Sequence, residues 1–168
     1  LAARLAHLFI EQVVGKCRYG IDLHTGSQHR TNLPQIRAHL ADPETRRIAE
    51  VFAAPMMYTA AARRRSLRAA ARKRGVHLLV YEAGEPLRFD ESAIRTGVEG
   101  VLRVLAALGM WNHSEESAPP RSFEAEDTSW GRASRSGIFH HSCHLGDAVK
   151  PHQQLGFVSA PWGDDASP

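Results

Sequence analysis

The sequence predicts an α/β fold, a sheet flanked by helices, followed by a small, incomplete all-β module. Three observations carry this. Helix and strand patterns alternate over roughly the first 110 residues, which is the signature of an α/β sheet. Within them, Val76-His77-Leu78-Leu79-Val80-Tyr81 is a nearly continuous apolar run, typical of a buried parallel strand. After Trp111 the composition turns to Asn, His, Ser, Glu, Ala and Pro as far as Arg121, and then to brief apolar pieces punctuated by glycine.

Taken in order, residues 2 to about 15 read as a helix, with Leu5, Leu8, Phe9 and Val13 on one stripe and Gly15 able to stop it. The segment Cys17 to His24 reads as a strand. Its alternation sets Tyr19 and Ile21 against Gly20, Asp22 and His24, so a carboxylate and an imidazole leave its end on one side. Asp42-Pro43 opens a second helix, an N-cap followed by proline at the first helical position, with Ile48, Val51 and Phe52 as its stripe. Pro55 to Tyr58 is a short strand candidate. Ser66 can cap a basic helix to Arg74, which Gly75 ends before the buried strand, and Glu82 stands where that strand stops. Asp90 caps the clearest helix, with Ile94, Val98, Val101, Leu102, Leu105 and Leu108 along one face and Gly109 closing it. The expected organisation is therefore residues 1–111 as the α/β portion, 112–122 as a linker, and 123–168 as the β-module, whose turns fall at Gly131, Gly137, Gly146, Gly156 and Gly163.

Bulk composition narrows the function classes. Hydrophobic residues at 43% and charged residues at 23% describe a soluble globular protein, and no apolar stretch of roughly 18 residues exists to span a membrane. Cys17 and Cys143 lie far apart without a CxxC pattern, which points away from a disulfide framework and toward a reducing cytoplasm. The chain begins at Leu1 without a secretory pattern, and the expectation is a sequence truncated at its N-terminus. The net charge of +3 is modest, and its basic run from Arg63 to Arg74 lacks interleaved aromatics, so it reads as a solvated helix face rather than a nucleic-acid surface.

Two strand ends carry the chemistry. Asp22-Leu23-His24-Thr25-Gly26 is followed by Gln28-His29-Arg30-Thr31-Asn32-Leu33-Pro34, and ligands in open α/β sheets gather at the carboxyl ends of strands. A histidine there is either a metal ligand or a hydrogen-bonded structural residue. The second is Glu82 in Tyr81-Glu82-Ala83-Gly84-Glu85-Pro86-Leu87-Arg88-Phe89-Asp90, placed either as a general base toward a metal-bound water or as the partner of a nearby arginine.

With Ser66-Leu67-Arg68-Ala69-Ala70 and the helix ending in Leu108-Gly109-Met110, these segments resemble the succinylglutamate desuccinylase/aspartoacylase family over roughly residues 1 to 110. The resemblance implies a partial zinc-carboxypeptidase-like mixed sheet and a zinc-dependent deacylase that cleaves an N-acylated small molecule. By the same resemblance His24 is the third zinc ligand, Glu82 the catalytic base, and Arg30 a contact to the substrate carboxylate, which its planar fork can grip bidentately. Strand alternation adds Asp22 as a partner that fixes the tautomer of His24. The family's other two zinc ligands, a histidine and a glutamate spaced HxxE in an earlier strand and loop, are expected to be missing from the chain altogether. His7 and Glu11 have the wrong spacing. Catalytic zinc takes about three protein ligands plus an open position. The alternative reading is thus a truncated, catalytically inactive family member.

The tail, Trp130 to Phe139, Leu145 to Lys150 and Gln154 to Gly156, is similar to the C-terminal β-module of the same proteins and, through it, to biotinyl or lipoyl carrier domains, with Pro151-His152 where those proteins favour a glycine in the turn. No lysine sits in a carrier-attachment motif. His140, His141, Cys143 and His144 suit zinc by residue type, but on a strand adjacent residues point to opposite faces. The expected partner is a small N-acylated substrate, with neither nucleic acid nor membrane.

Overall fold

Among the described residues, side-chain caps start three of the four α-helices. A computed structural model of the chain describes residues 1–27, 30–112, 118–162 and 166–167; Gln28, His29, residues 113–117 of the linker and Gly163 lie outside the described residues. Helix α1 (Ala2–Gln12) has no side-chain cap and runs into a 3-10 turn at Val14–Lys16. Strand β1 (Tyr19–His24) and strand β2 (Asn32–Ala38) follow. Helix α2 (Pro43–Phe52) begins where the Asp42 carboxylate accepts from the Thr45 amide at 2.8 Å and the Thr45 hydroxyl at 2.7 Å, which satisfies a donor the first turn would otherwise leave open. After strand β3 (Met56–Thr59), the Ser66 hydroxyl accepts from the Ala69 amide at 3.2 Å to start helix α3 (Leu67–Arg72). Strand β4 (His77–Gly84) leads to helix α4 (Glu91–Ala107), where Asp90 accepts from the amides of Ser92 and Ala93 at 2.9 and 3.1 Å.

The large sheet has the order β1, β4, β2, β3 and then β5 (Phe123–Ala125). It is mixed: β2 runs antiparallel to β4, while the remaining neighbours pair in parallel. One face packs on α2 and α4, where Ile36, Leu40, Ile48, Phe52 and Leu79 are fully buried. Burying each such side chain contributes on the order of 2 kcal/mol, which makes this the main stabilising layer. The opposite face carries a smaller cluster of Val14, Ala71 and Val76, with Ile10, Leu67 and Leu78 packed against it from α1, α3 and β4.

Three differences from the sequence reading have physical causes. Residues 32–38 form a central strand although they contain Pro34, because the β2–β4 pairing shifts register between Asn32 and Gln35, and a proline without an amide hydrogen is tolerated at such a bulge. In α4 the buried stripe is Ala93, Gly97, Gly100 and Val104, while Ile94 and Val98 are exposed. Small residues let this helix approach the Phe52 and Tyr81 rings, whose centroids stand 5.1 Å apart. Residues 123–125 pair with β3 in the large sheet, so the chain divides at Glu126 and Asp127 rather than ahead of residue 123. The Arg46 guanidinium fastens β5 to α2 through two hydrogen bonds to Glu124, at 2.7 and 2.8 Å.

In the second unit, Asp127–Pro168, strands β6 (Ile138–His141), β7 (Gly156–Ser159) and β8 (Ala166–Ser167) form a three-stranded antiparallel sheet. Among the described residues no helix is long and apolar enough to cross a membrane.

Candidate active site

Strand pairing decides which side chains can meet. In the parallel β1–β4 pair, His24 is registered with Glu82 and Asp22 with Val80. In the antiparallel β2–β4 pair, Gln35 is registered with Glu82 and Arg37 with Val80. Registered neighbours point to the same side of a sheet, so Asp22, His24, Glu82 and Arg37 all leave the face opposite the Ile36 and Leu79 core. An open cleft of about 480 Å³ lies over them, walled by Ala60, Ala61 and Arg63 and by Leu67 and Arg68 of α3. The imidazole and carboxylate expected from the two strand ends thus open into one cavity.

Hydrogen bonds hold each group. His24 Nε2 lies 3.0 Å from Asp22 Oδ2, a contact that fixes the ring of a half-exposed imidazole. The Glu82 side chain is more enclosed, 12% exposed, and both of its oxygens are engaged. Asn32 Nδ2 donates to Oε1 at 2.6 Å, and Arg37 Nη2 reaches Oε2 at 2.6 Å. At the cleft's wall Arg68 donates to the carbonyls of Ala60 and Ala61 at 3.0 and 3.2 Å, which pins the segment after β3. Desolvation, and secondly the positive charge of Arg37, lower the pKa of Arg68 from its ordinary value.

Arg30 is exposed, with its amide donating to Ser27, and it does not line this cleft; the arginines that do are Arg37, Arg63 and Arg68. Arg37 and Asn32 escaped the sequence reading. The signal for Arg37 was present in the alternation of Gln35, Arg37 and His39 with Ile36, Ala38 and Leu40, which places Arg37 on the polar side of a strand.

A zinc centre is not complete in these residues. Among the described residues no three His, Cys, Asp or Glu side chains gather in a group able to hold a metal ion, and this holds equally for His140, His141, Cys143 and His144. The imidazole of His24 offers one donor position, its other nitrogen being turned to Asp22. The HxxE spacing occurs once in the sequence, at His113-Ser114-Glu115-Glu116, in the linker and outside the described residues. That is after β4, whereas the resemblance calls for it ahead of His24. The described residues on their own therefore do not fit a zinc site.

Comparison with known proteins gives the same picture of the first unit. The sequence model of the succinylglutamate desuccinylase/aspartoacylase catalytic domain matches residues 1–108. A succinylglutamate desuccinylase/aspartoacylase from Rhodobacter sphaeroides is similar in structure, with a TM-score of 0.81 and 24% identity over 98% of this chain and 53% of its own. The apo ectoine utilization protein EutE (DoeB) from Ruegeria pomeroyi gives a TM-score of 0.82 with 17% identity, over 99% of this chain and 56% of its own. A succinylglutamate desuccinylase from Silicibacter sp. TM1040 gives 0.83 with 16% identity, over 100% of this chain and 54% of its own. The chain spans about half the length of these solved structures. No curated protein matches it.

Proposed function

The chain belongs to the succinylglutamate desuccinylase/aspartoacylase family, and from that premise we propose that the protein hydrolyses the amide bond of an N-acylated amino acid or similar small molecule. The observation that carries the reading is the placement of Glu82 beside His24 in one cleft with arginines on its wall. Glu82 takes a proton from the attacking water and returns it to the departing amine, the two transfers that amide cleavage requires. Its enclosure suits this role, because a carboxylate held by Asn32 and Arg37 keeps its direction through both transfers. The cleft arginines supply positive charge for a substrate carboxylate, with Arg30 a further candidate from the loop after β1. A zinc ion belongs to this reading, with His24 as one ligand held by Asp22, and its remaining donors would have to come from outside the described residues.

The absence of a three-donor group among the described residues favours a second reading, a family member without catalytic activity. One experiment separates the two. The purified protein is assayed for zinc content and for amine release from a panel of N-acetyl and N-succinyl amino acids, beside Glu82→Gln. The hydrolase reading expects bound zinc and amine release that falls by about 100-fold or more in the variant, the usual scale of general acid–base catalysis. A zinc-free protein that releases no amine supports the second reading, and a Glu82→Gln variant as active as wild type removes Glu82 from the chemistry.

A further inference from the structure

We propose that Arg37 is a positioning residue for Glu82, acting with Asn32 as a two-point clamp that fixes both carboxylate oxygens; the inference rests on the hydrolase reading above. The clamp is built from β2. Arg37 is registered with Val80, one step along the same face from Glu82, so its guanidinium reaches the carboxylate on the diagonal. Asn32 approaches from the start of the same strand, beyond the bulge, and takes the other oxygen. On the far side Arg37 is registered with Tyr58 of β3, and its guanidinium carbon lies 6.0 Å from that ring's centroid. The cation is therefore held between an aromatic face and the carboxylate, with little freedom to carry Glu82 elsewhere.

Two features set this pair apart from an ordinary ion pair. It stands on the floor of the cleft that holds His24 rather than on an open surface. Among the described residues the buried Nε of Arg37 has no hydrogen-bond partner. Leaving a buried donor unpaired costs free energy, so the guanidinium is not placed where it would be best satisfied. It is placed where one nitrogen meets Glu82 at 2.6 Å.

Steady-state kinetics of Arg37→Lys and Arg37→Ala on whichever panel substrate the wild type cleaves provide the test, together with addition of guanidinium ion to Arg37→Ala. A carboxylate that loses its direction slows the chemical step, and a misplacement of about 1 Å is worth up to about 100-fold. The expected result is a fall in kcat of about tenfold or more with KM within about threefold, and partial recovery of kcat with guanidinium. A rise in KM at unchanged kcat overturns the proposal, since it makes Arg37 a substrate contact, and so does unchanged kinetics. Should the wild type cleave nothing on the panel, the hydrolase reading fails on its own, and crystal structures decide the clamp. In Arg37→Lys the Glu82 carboxylate is expected to leave Asn32, and finding it still in place overturns the proposal.

Discussion

His24 and Glu82 are register partners at the ends of two parallel strands, yet they differ sharply in access: the imidazole is 50% exposed and the carboxylate 12%. An accessible nitrogen donor beside an enclosed, doubly bonded carboxylate suits one group to binding and the other to proton transfer. The two variants should therefore fail differently. His24→Ala is expected to lower both zinc content and amine release, whereas Glu82→Gln lowers amine release by about 100-fold at unchanged zinc content. Metal analysis by mass spectrometry beside the amine assay reads both, and equal zinc loss in the two variants would contradict the division of roles.

Acid stability should depend on the start of α2. Glu44 is held at a pKa of about 2, first by hydrogen bonds from Arg47 and then by the Tyr19 hydroxyl. Asp42 is lowered chiefly by the Thr45 hydroxyl, then by the Thr45 amide, with His77 adding to both. A depressed carboxylate stabilises the fold above its unfolded pKa and loses that contribution as pH falls through the folded value. The melting temperature should therefore hold above about pH 4.5 and decline toward pH 2, with a shallower decline in Glu44→Gln. Thermal melts across that range check it. At neutral pH, Asp42→Ala should cost about 1 kcal/mol through the lost cap.

Tyr81 makes the opposite prediction at alkaline pH. Burial pushes its phenol up to about 12, and the hydroxyl donates to the Ala93 carbonyl at 2.6 Å. A raised pKa stabilises the fold below the unfolded value near 10 and loses that contribution as pH climbs through the folded one. Spectrophotometric titration should show Tyr81 ionising late and together with unfolding. Tyr81→Phe, which removes this bond while the Ala93 carbonyl keeps its partner within α4, should cost about 0.5–1.5 kcal/mol, and no loss of stability would mean that the bond adds nothing net.

Gly100 reverses an ordinary expectation. Alanine in a helix interior is normally better than glycine by about 1 kcal/mol. Here a Cβ would overlap the ring of Phe52, which is fully buried. Gly100→Ala should destabilise by about 1–3 kcal/mol as the overpacked ring is displaced. Denaturant unfolding measures it, and a stabilised variant would show that α4 can back away from α2.

Much of this was legible in the order of residues, because caps and periodic stripes are local. Asp42, Ser66 and Asp90 each start the helix expected of them, and β1 and β4 cover Asp22, His24 and Glu82 as their alternation requires. What escaped depended on pairing between distant strands. Pro34 disguises β2 because the bulge that accommodates it exists only once β4 lies alongside. Arg37 and Asn32 were hidden with it, since their role is defined by a carboxylate 45 and 50 positions further along the chain. The placement of residues 123–125 in the large sheet likewise depends on β3, far back in the sequence.

The polar side of β2 has one more implication, for folding. A slip of one residue in this strand would turn Arg37 inward against Leu79 and Tyr81 and turn Ile36 out into the cleft. An unpaired guanidinium in that apolar layer is prohibitive, so the misaligned sheet has no stable form. The arginine that grips the carboxylate thus also proofreads the strand's alignment: a molecule whose sheet has closed correctly has, in the same event, assembled its clamp.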